Sequence, residues 1–232
     1  MSSKEFTVSG FNRISIRFPV EIEIVKADGF GVTVSGNETQ VNNVTVVQEG
    51  DRLTVGYNIN LASIIAAPFS RIHARITLPE LRELNISGAA LGNVRGFDSP
   101  ADFALVVSGA SRLDLSEMSV GAMKWDLSGA SRIDAQMSAK GDSDFRVTGA
   151  SRVDLKGTGA DVTVEAAGAS HIDFERFAVR NVKVRLAGAS HCIVNMNGKL
   201  DATVEGASRL EYEGQPTMGD VKTAGASSLR HR

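Results

Sequence analysis

One cationic residue recurs at a fixed distance from a recurring glycine. Arg112, Arg132, Arg152, His171, His191 and Arg209 each stand three positions after Gly109, Gly129, Gly149, Gly168, Gly188 and Gly206. Guanidinium forks grip carboxylates, sulfates and phosphates through paired hydrogen bonds, so such a row suits an anionic or carboxylate-bearing polymer. Two residues further on, Asp114, Asp134, Asp154, Asp173 and Glu211 form a parallel acidic row that Ile193 interrupts. A solvated, charge-balanced face would carry the same two rows, because opposite charges at strand spacing compensate and exposed pairs contribute little. His171 and His191 occupy equivalent places in neighbouring repeats, where two imidazoles could share a metal or act as a proton-linked switch. Asp173 is the nearest further donor, but the pattern does not demand it, and no metal site is assigned.

The other reactive side chains read as structure. A serine follows glycine and alanine in most repeats, and serial copies argue for a corner, because nucleophilic catalysis needs only one. Cys192 stands where other repeats carry Leu, Ile or Val, which makes it a small core residue and not a reactive thiol. Trp125 aligns with Phe103 and Phe145 and is assigned to the core in preference to a sugar platform. His73 and His231 are isolated. No nucleophile beside a base, no spaced carboxylate pair and no closed ligand set is visible, so no catalytic residue and no cofactor is assigned.

These residues need elements that hold them at even intervals. The phrases SGAALGNV, SGASRLDL, SGASRIDA, TGASRVDL, AGASHIDF, AGASHCIV, EGASRLEY and AGASSLRHR place their leading glycines, Gly88 to Gly225, 18 to 21 residues apart. A period near twenty is that of a solenoid. Strict two-residue alternation flanks each glycine, as in a strand with one buried face. Ahead of it the inward positions include Phe103, Leu105, Val107, Trp125, Leu127 and Phe145; behind it they include Leu113, Ile133, Val153, Ile172, Cys192 and Leu210. Each repeat is thus strand, Gly-Ala-Ser turn, strand and variable link. The expected fold is all-β: a right-handed parallel β-helix of about 20-residue coils with Gly-Ala-Ser corners.

One domain spanning 1–232 is expected, with eight regular repeats over 87–232 and irregular first coils plus a cap over 1–86. A separate small N-terminal β-domain is the alternative. In either case the segments FTVSG, RISIRF, VEIEIV, GVTVSG, VTVVQ, RLTVGY and IHARITL read as the strands of residues 1–86, with turns at Ala27-Asp28-Gly29 and Glu49-Gly50-Asp51. Segment 61–69, LASIIAAPF, is apolar on all sides and reads as packing on the chain's own surface or as a contact with a second subunit. Arg230, His231 and Arg232 give the last strand a positive edge suited to blocking further strand addition.

The bulk numbers name no partner. Among 232 residues, 25 basic and 27 acidic side chains leave a net charge of −2, which offers no field for nucleic acid or an anionic membrane. The single cysteine excludes an internal disulfide. The opening MSSKEFTVSG lacks the pattern of a secretory signal, and the longest apolar run is far below the ~20 residues of a spanning helix, so no membrane insertion is expected. A cytoplasmic location stays open on these features.

The stretch ARITLPELRELNISGA through the glycine phrases, with the opening FTVSGFNRISI and VEIEIVKADGFGVTVSGNE, resembles the bacterial family of putative auto-transporter adhesins, head GIN domain. That resemblance implies a pectin-lyase-like β-helix with tight turns at small glycine motifs. It also implies a role in cell adhesion in the envelope or outside the cell, with no catalytic residues to transfer. The chain departs from the auto-transporter pattern in showing no signal sequence, coiled-coil stalk or membrane anchor. The functional expectation is a non-catalytic binding or adhesion module that recognises a glycan or a cell-surface protein. The alternatives are a self-associating scaffold, acting as a homo-oligomer, and a polysaccharide-active enzyme of the same solenoid shape.

Overall fold

The computed structural model describes residues 2–58 and 72–232; the apolar segment 61–69 lies outside the described residues. About seven turns with a spacing of about twenty residues form a β-solenoid. Strands that precede a corner glycine, such as Phe103–Gly109, Met123–Gly129 and Ser143–Val147, lie side by side in one parallel sheet. Strands that follow it, such as Arg112–Val120, Arg132–Ala139, Arg152–Thr158 and His171–Val179, form the second. Pairing is in register from coil to coil, so like residues stack: Gly88, Gly109 and Gly129, or Leu113, Ile133 and Val153.

Alternation then does what it must in such a stack. The inward positions expected ahead of the glycine, from Phe103 to Val204, are all buried, as are Leu113, Ile133, Val153, Ile172, Cys192 and Leu210 behind it. Burying each large aliphatic side chain contributes about 1.5–3 kcal/mol relative to leaving it in water. Tyr212 and Leu229, in the last coils, are only partly buried against the same core. Trp125 packs edge-on to Phe145 at 5.3 Å between centroids, Phe145 meets Phe174 at 4.8 Å, and Phe174 meets Phe177 at 5.8 Å. Trp125 is therefore core and not a sugar platform.

The corners explain the phrase. Gly109, Gly129, Gly149, Gly168, Gly188 and Gly206 all have positive φ, between 78° and 107°. Each also lies so close to the corner below that a Cβ would collide with the preceding glycine's carbonyl oxygen; at Gly188 that separation would be 2.6 Å. The carbonyl so approached is used. That of Gly129 accepts from the Ala150 N–H at 2.8 Å and from the Ser151 hydroxyl at 3.4 Å, and that of Gly109 accepts from Ala130 at 2.9 Å and Ser131 at 3.2 Å. The serines are buried, and Ser111 and Ser131 also accept the backbone N–H of Ala90 and Ser111 from the coil below, at 3.2 and 3.4 Å. Serine stands in the corner as a hydrogen-bonding ladder and not only as a small residue.

The first coils are not laid down in chain order. Strands Arg13–Ile16 and Glu21–Lys26 make one rung, lying between the rung of Arg52–Tyr57 and His73–Leu78 and that of Glu83–Gly88 and Leu91–Arg95. Beyond them the pairing turns antiparallel: Gly31–Gly36 on His73–Leu78, Ser2–Phe6 on Gly31–Gly36, and Val44–Glu49 on Arg52–Tyr57. The turn at Gly50, with φ of 60°, closes that last hairpin. One local expectation changes. The first strand is Ser2–Phe6, and the alternating residues after Phe6 run on outside any strand to the positive-φ Gly10. A six-residue helix, Glu38–Asn43, links Gly31–Gly36 to Val44–Glu49 and is capped by the Asn37 side chain, which accepts the Thr39 N–H at 3.0 Å.

Gly188→Ala should lower stability by about 2–4 kcal/mol, through positive-φ strain plus the collision with the Gly168 carbonyl. Gly29→Ala, where an added Cβ meets nothing within 4 Å, should stay within about 0.5 kcal/mol of the parent. Urea unfolding midpoints measured side by side check both.

Candidate functional site

The register of the second sheet sets Arg112, Arg132, Arg152, His171, His191 and Arg209 directly opposite one another on successive strands. At the ~4.8 Å spacing of paired strands, six rungs extend roughly 24 Å. Asp114, Asp134, Asp154, Asp173, Ile193 and Glu211 form the adjoining row. Toward the N-terminus the cationic row runs on through Leu91, Glu21 and His73, so its positive character stops at Arg112.

The rows are not uniform. Arg112, Arg132 and Arg209 are exposed, whereas Arg152, His171 and His191 are half-buried. Arg132 holds Asp134 bidentately, at 2.8 and 3.1 Å, while Arg112 approaches the same carboxylate only to 3.9 Å. That grip by Arg132, with Arg112 and Arg152 nearby, keeps the Asp134 carboxyl below the usual carboxylate range. Glu211 is shared: Arg232 reaches it at 3.4 Å, the His191 Nε2 at 3.6 Å and Arg209 at 3.9 Å. Arg176, from further along its strand, reaches back to Asp154 at 3.5 Å. Arg152 has no carboxylate within ion-pair distance among the described residues, and its Nε is buried without a hydrogen-bond partner. Ile193, in the place of an acid, is itself buried.

The two imidazoles stack in a T-shape with centroids 5.0 Å apart. Burial, then the charges of Arg152 and His191, hold His171 below its ordinary value. Among the described residues no group of three His, Cys, Asp or Glu side chains converges as a metal would require. Cys192 is fully buried, and desolvation pushes its thiol pKa far up, which suits a packing residue. His73 pairs with Glu21 at 3.0 Å, and His231 packs on Tyr212 at 5.1 Å. Arg232 reaches Glu175 at 3.1 Å as well as Glu211, so this C-terminal cation folds back onto earlier coils.

Elsewhere the surface offers shallow hollows. One, on the opposite sheet, is lined by Arg146, Glu165, Arg185, Thr203 and Glu205, with Arg146 and Glu165 paired at 3.2 Å. Another lies near Glu21, Glu23, His73 and Arg75, whose charges are mutually paired. At the link corners Asp161 accepts from Arg180 at 2.8 Å and from Asn181 at 3.0 Å, which brings its carboxyl down to about 2. Sequence reasoning places the two rows but misses Arg176, Arg232 and the serine ladder. The recurrence of serine at one place in the phrase is the signal available for the ladder.

A parallel solenoid that displays evenly spaced charged rows on a flat face, with no deep cleft among the described residues, defines a repeat-built β-helical protein that presents a surface. The chain belongs to the family described as putative auto-transporter adhesin, head GIN domain, which it matches over residues 10–216. It is similar in fold to a putative adhesin from Parabacteroides distasonis (TM-score 0.89, 17% identity, covering 100% of this chain and 96% of that one). It is likewise similar to a putative lipid binding protein from the same organism (0.82, 17%, 100% and 96%) and to a putative adhesin from Parabacteroides merdae (0.79, 17%, 100% and 95%). No functionally curated protein matches the chain. No helix among the described residues is long and apolar enough to cross a membrane.

Asp134 and Asp161 ionise more readily folded than unfolded. Their stabilisation is complete above the ordinary carboxylate value of 3.8 and is lost as pH falls below it, for Asp161 toward about 2. Urea midpoints followed across this range should fall with pH, and the fall should be shallower in Asp134→Asn and in Asp161→Asn.

Proposed function

We propose that this protein is a non-catalytic binding module of the bacterial cell envelope, recognising a glycan or protein surface through the face that carries Arg112, Arg132, Arg152, His171, His191 and Arg209. The observation that carries this reading is the register: four arginines and two histidines, one per rung, on one sheet face. A repetitive face suits a repetitive ligand, because each added rung offers one more interaction of the same kind. The family description and the adhesin names of two fold neighbours agree with a role in adhesion. A non-catalytic role is supported by where the reactive side chains go: the corner serines bond glycine carbonyls and the thiol sits in the core. The name of the lipid-binding fold neighbour makes anionic vesicles the proper comparison ligand. Replacing Arg112, Arg132 and Arg152 together by Ala should reduce binding on an array of acidic glycans by roughly a hundredfold or more, because each arginine removed takes away one charge-assisted hydrogen bond to the ligand. Unchanged binding would remove this face from consideration.

A second reading, self-association, is favoured by the last coil. Its strands, Thr217–Thr223 and Ser228–His231, are paired on one side only among the described residues, and Met218 is 45% exposed. Light scattering across a concentration series should then show a dimer, and a monomer throughout would exclude it.

A further inference from the structure

The cationic row is neutralised unevenly, and the gap falls where the arginines give way to histidines. Arg132 is locked to Asp134. Arg152, the next rung, has no carboxylate within ion-pair distance among the described residues, and its Nε is a buried donor without an acceptor. A buried, unpartnered donor on a charged side chain costs free energy that an incoming anion would recover. His171 and His191 follow on the next two rungs, half-buried and 5.0 Å apart.

The acids around this pair are few and mostly engaged. His171 faces Arg152 and Asp154 on one neighbouring strand, His191 on the other, and Asp173 on its own. Arg176 holds Asp154 at 3.5 Å, and Asp173 accepts the Glu175 N–H at 3.1 Å. His191 faces His171 and Asp173 on one side and Arg209 and Glu211 on the other, and Glu211 already serves two arginines. On its own strand the acid position is Ile193. Protonating both imidazoles would therefore align three cations on consecutive rungs, with Glu211, 3.6 Å from the His191 Nε2 and shared with two arginines, as the nearest counter-charge.

We propose that Arg152, His171 and His191 form the anchoring subsite of this face, taking sulfate or carboxylate groups of an acidic polysaccharide, and that protonation of the two imidazoles switches it on. The proposal rests on the reading of the face as a binding surface. Two features favour a polysaccharide over a nucleic acid or a membrane. Acidic sugars carry hydroxyl donors as well as anionic groups, which matches a cationic row lying beside a carboxylate row. The exposed large apolar side chains among the described residues are Val47, Leu91 and Met218, so no exposed Phe, Tyr or Trp ring offers a base a stacking platform.

The direction of the pH effect follows. His171 is held below 6.5 by burial and by neighbouring cations, so it is neutral near pH 8 and gains its proton under acid conditions. A bound anion favours the charged imidazole, so binding takes up protons and strengthens as pH falls. Each histidine whose pKa rises by about one unit on binding contributes roughly tenfold. In the acidic row Asp134, held below the usual carboxylate range by Arg132, stays ionised over the same interval.

The test is titration of the protein with fluorescent dextran sulfate, whose charge does not change between about pH 5 and about pH 8, at fixed ionic strength. The parent should bind about tenfold or more tightly at the lower pH. In His171→Gln/His191→Gln this ratio should collapse toward one, and in His171→Gln alone it should fall part of the way. Arg152→Ala should weaken binding at both pH values. A ratio near one in the parent, an undiminished ratio in the double variant, or tighter acid binding to anionic vesicles or single-stranded RNA of matched charge would overturn the proposal. If the Arg112, Arg132 and Arg152 triple variant binds dextran sulfate as the parent does, the face itself is wrong. If the triple variant loses binding while the parent shows no pH ratio, the face stands and only the histidine switch falls.

Discussion

Everything in this molecule is spaced by the contact between one glycine carbonyl and the corner that follows it. The approach is close enough to forbid a Cβ, and the carbonyl is satisfied from two directions, by an alanine N–H and a serine hydroxyl of the next coil. A buried hydroxyl left unbonded would be costly, so the serine is tolerated inside only because the glycine presents its carbonyl there. A register slip of one residue would separate these partners and turn every strand inside out. The corner thus fixes which side chains form the core and, three residues later, which form the outward cationic row.

That dependence explains what the sequence made legible. Alternation counted from each glycine separates buried Leu113, Ile133 and Ile172 from outward Arg112, Arg132 and His171, because period two and in-register stacking leave no freedom. The two charged rows follow by the same count. The depth at which their members sit does not: Arg152, His171 and His191 are half-buried while Arg112, Arg132 and Arg209 are exposed, and this depends on neighbours outside the phrase. Arg176 and Arg232 reach the acidic row from such places. At the N-terminus, where no phrase repeats, the strands are visible but their partners are not. Local alternation carries no information on whether Glu21–Lys26 will lie beside Leu91–Arg95, and the helix Glu38–Asn43 is too short to show a period, leaving Asn37 as its only signal.

The face that results is balanced as a whole and unbalanced in detail. Arg132 and Asp134 close on each other and present little net field, whereas Arg152 and the imidazole pair lie next to acids already held by Arg176, Arg209 and Arg232. Ile193, in the acid row, is itself buried, so in that row its rung offers no charge. A ligand would therefore meet a graded surface, with neutral rungs at one end and a stretch of unspent hydrogen-bonding capacity further along.

The order of the first rungs also governs how the chain can be built. The rung of Arg13–Ile16 and Glu21–Lys26 is flanked by one that ends at Leu78 and one that ends at Arg95, both synthesised after it. A nascent chain leaving the ribosome has no finished platform until that last strand has emerged, and Arg13–Ile16 and Glu21–Lys26 must wait for the parallel neighbours on both of their edges. From that point growth becomes vectorial: every later coil condenses onto a completed template, and the long-range closure cost is met once, at the start.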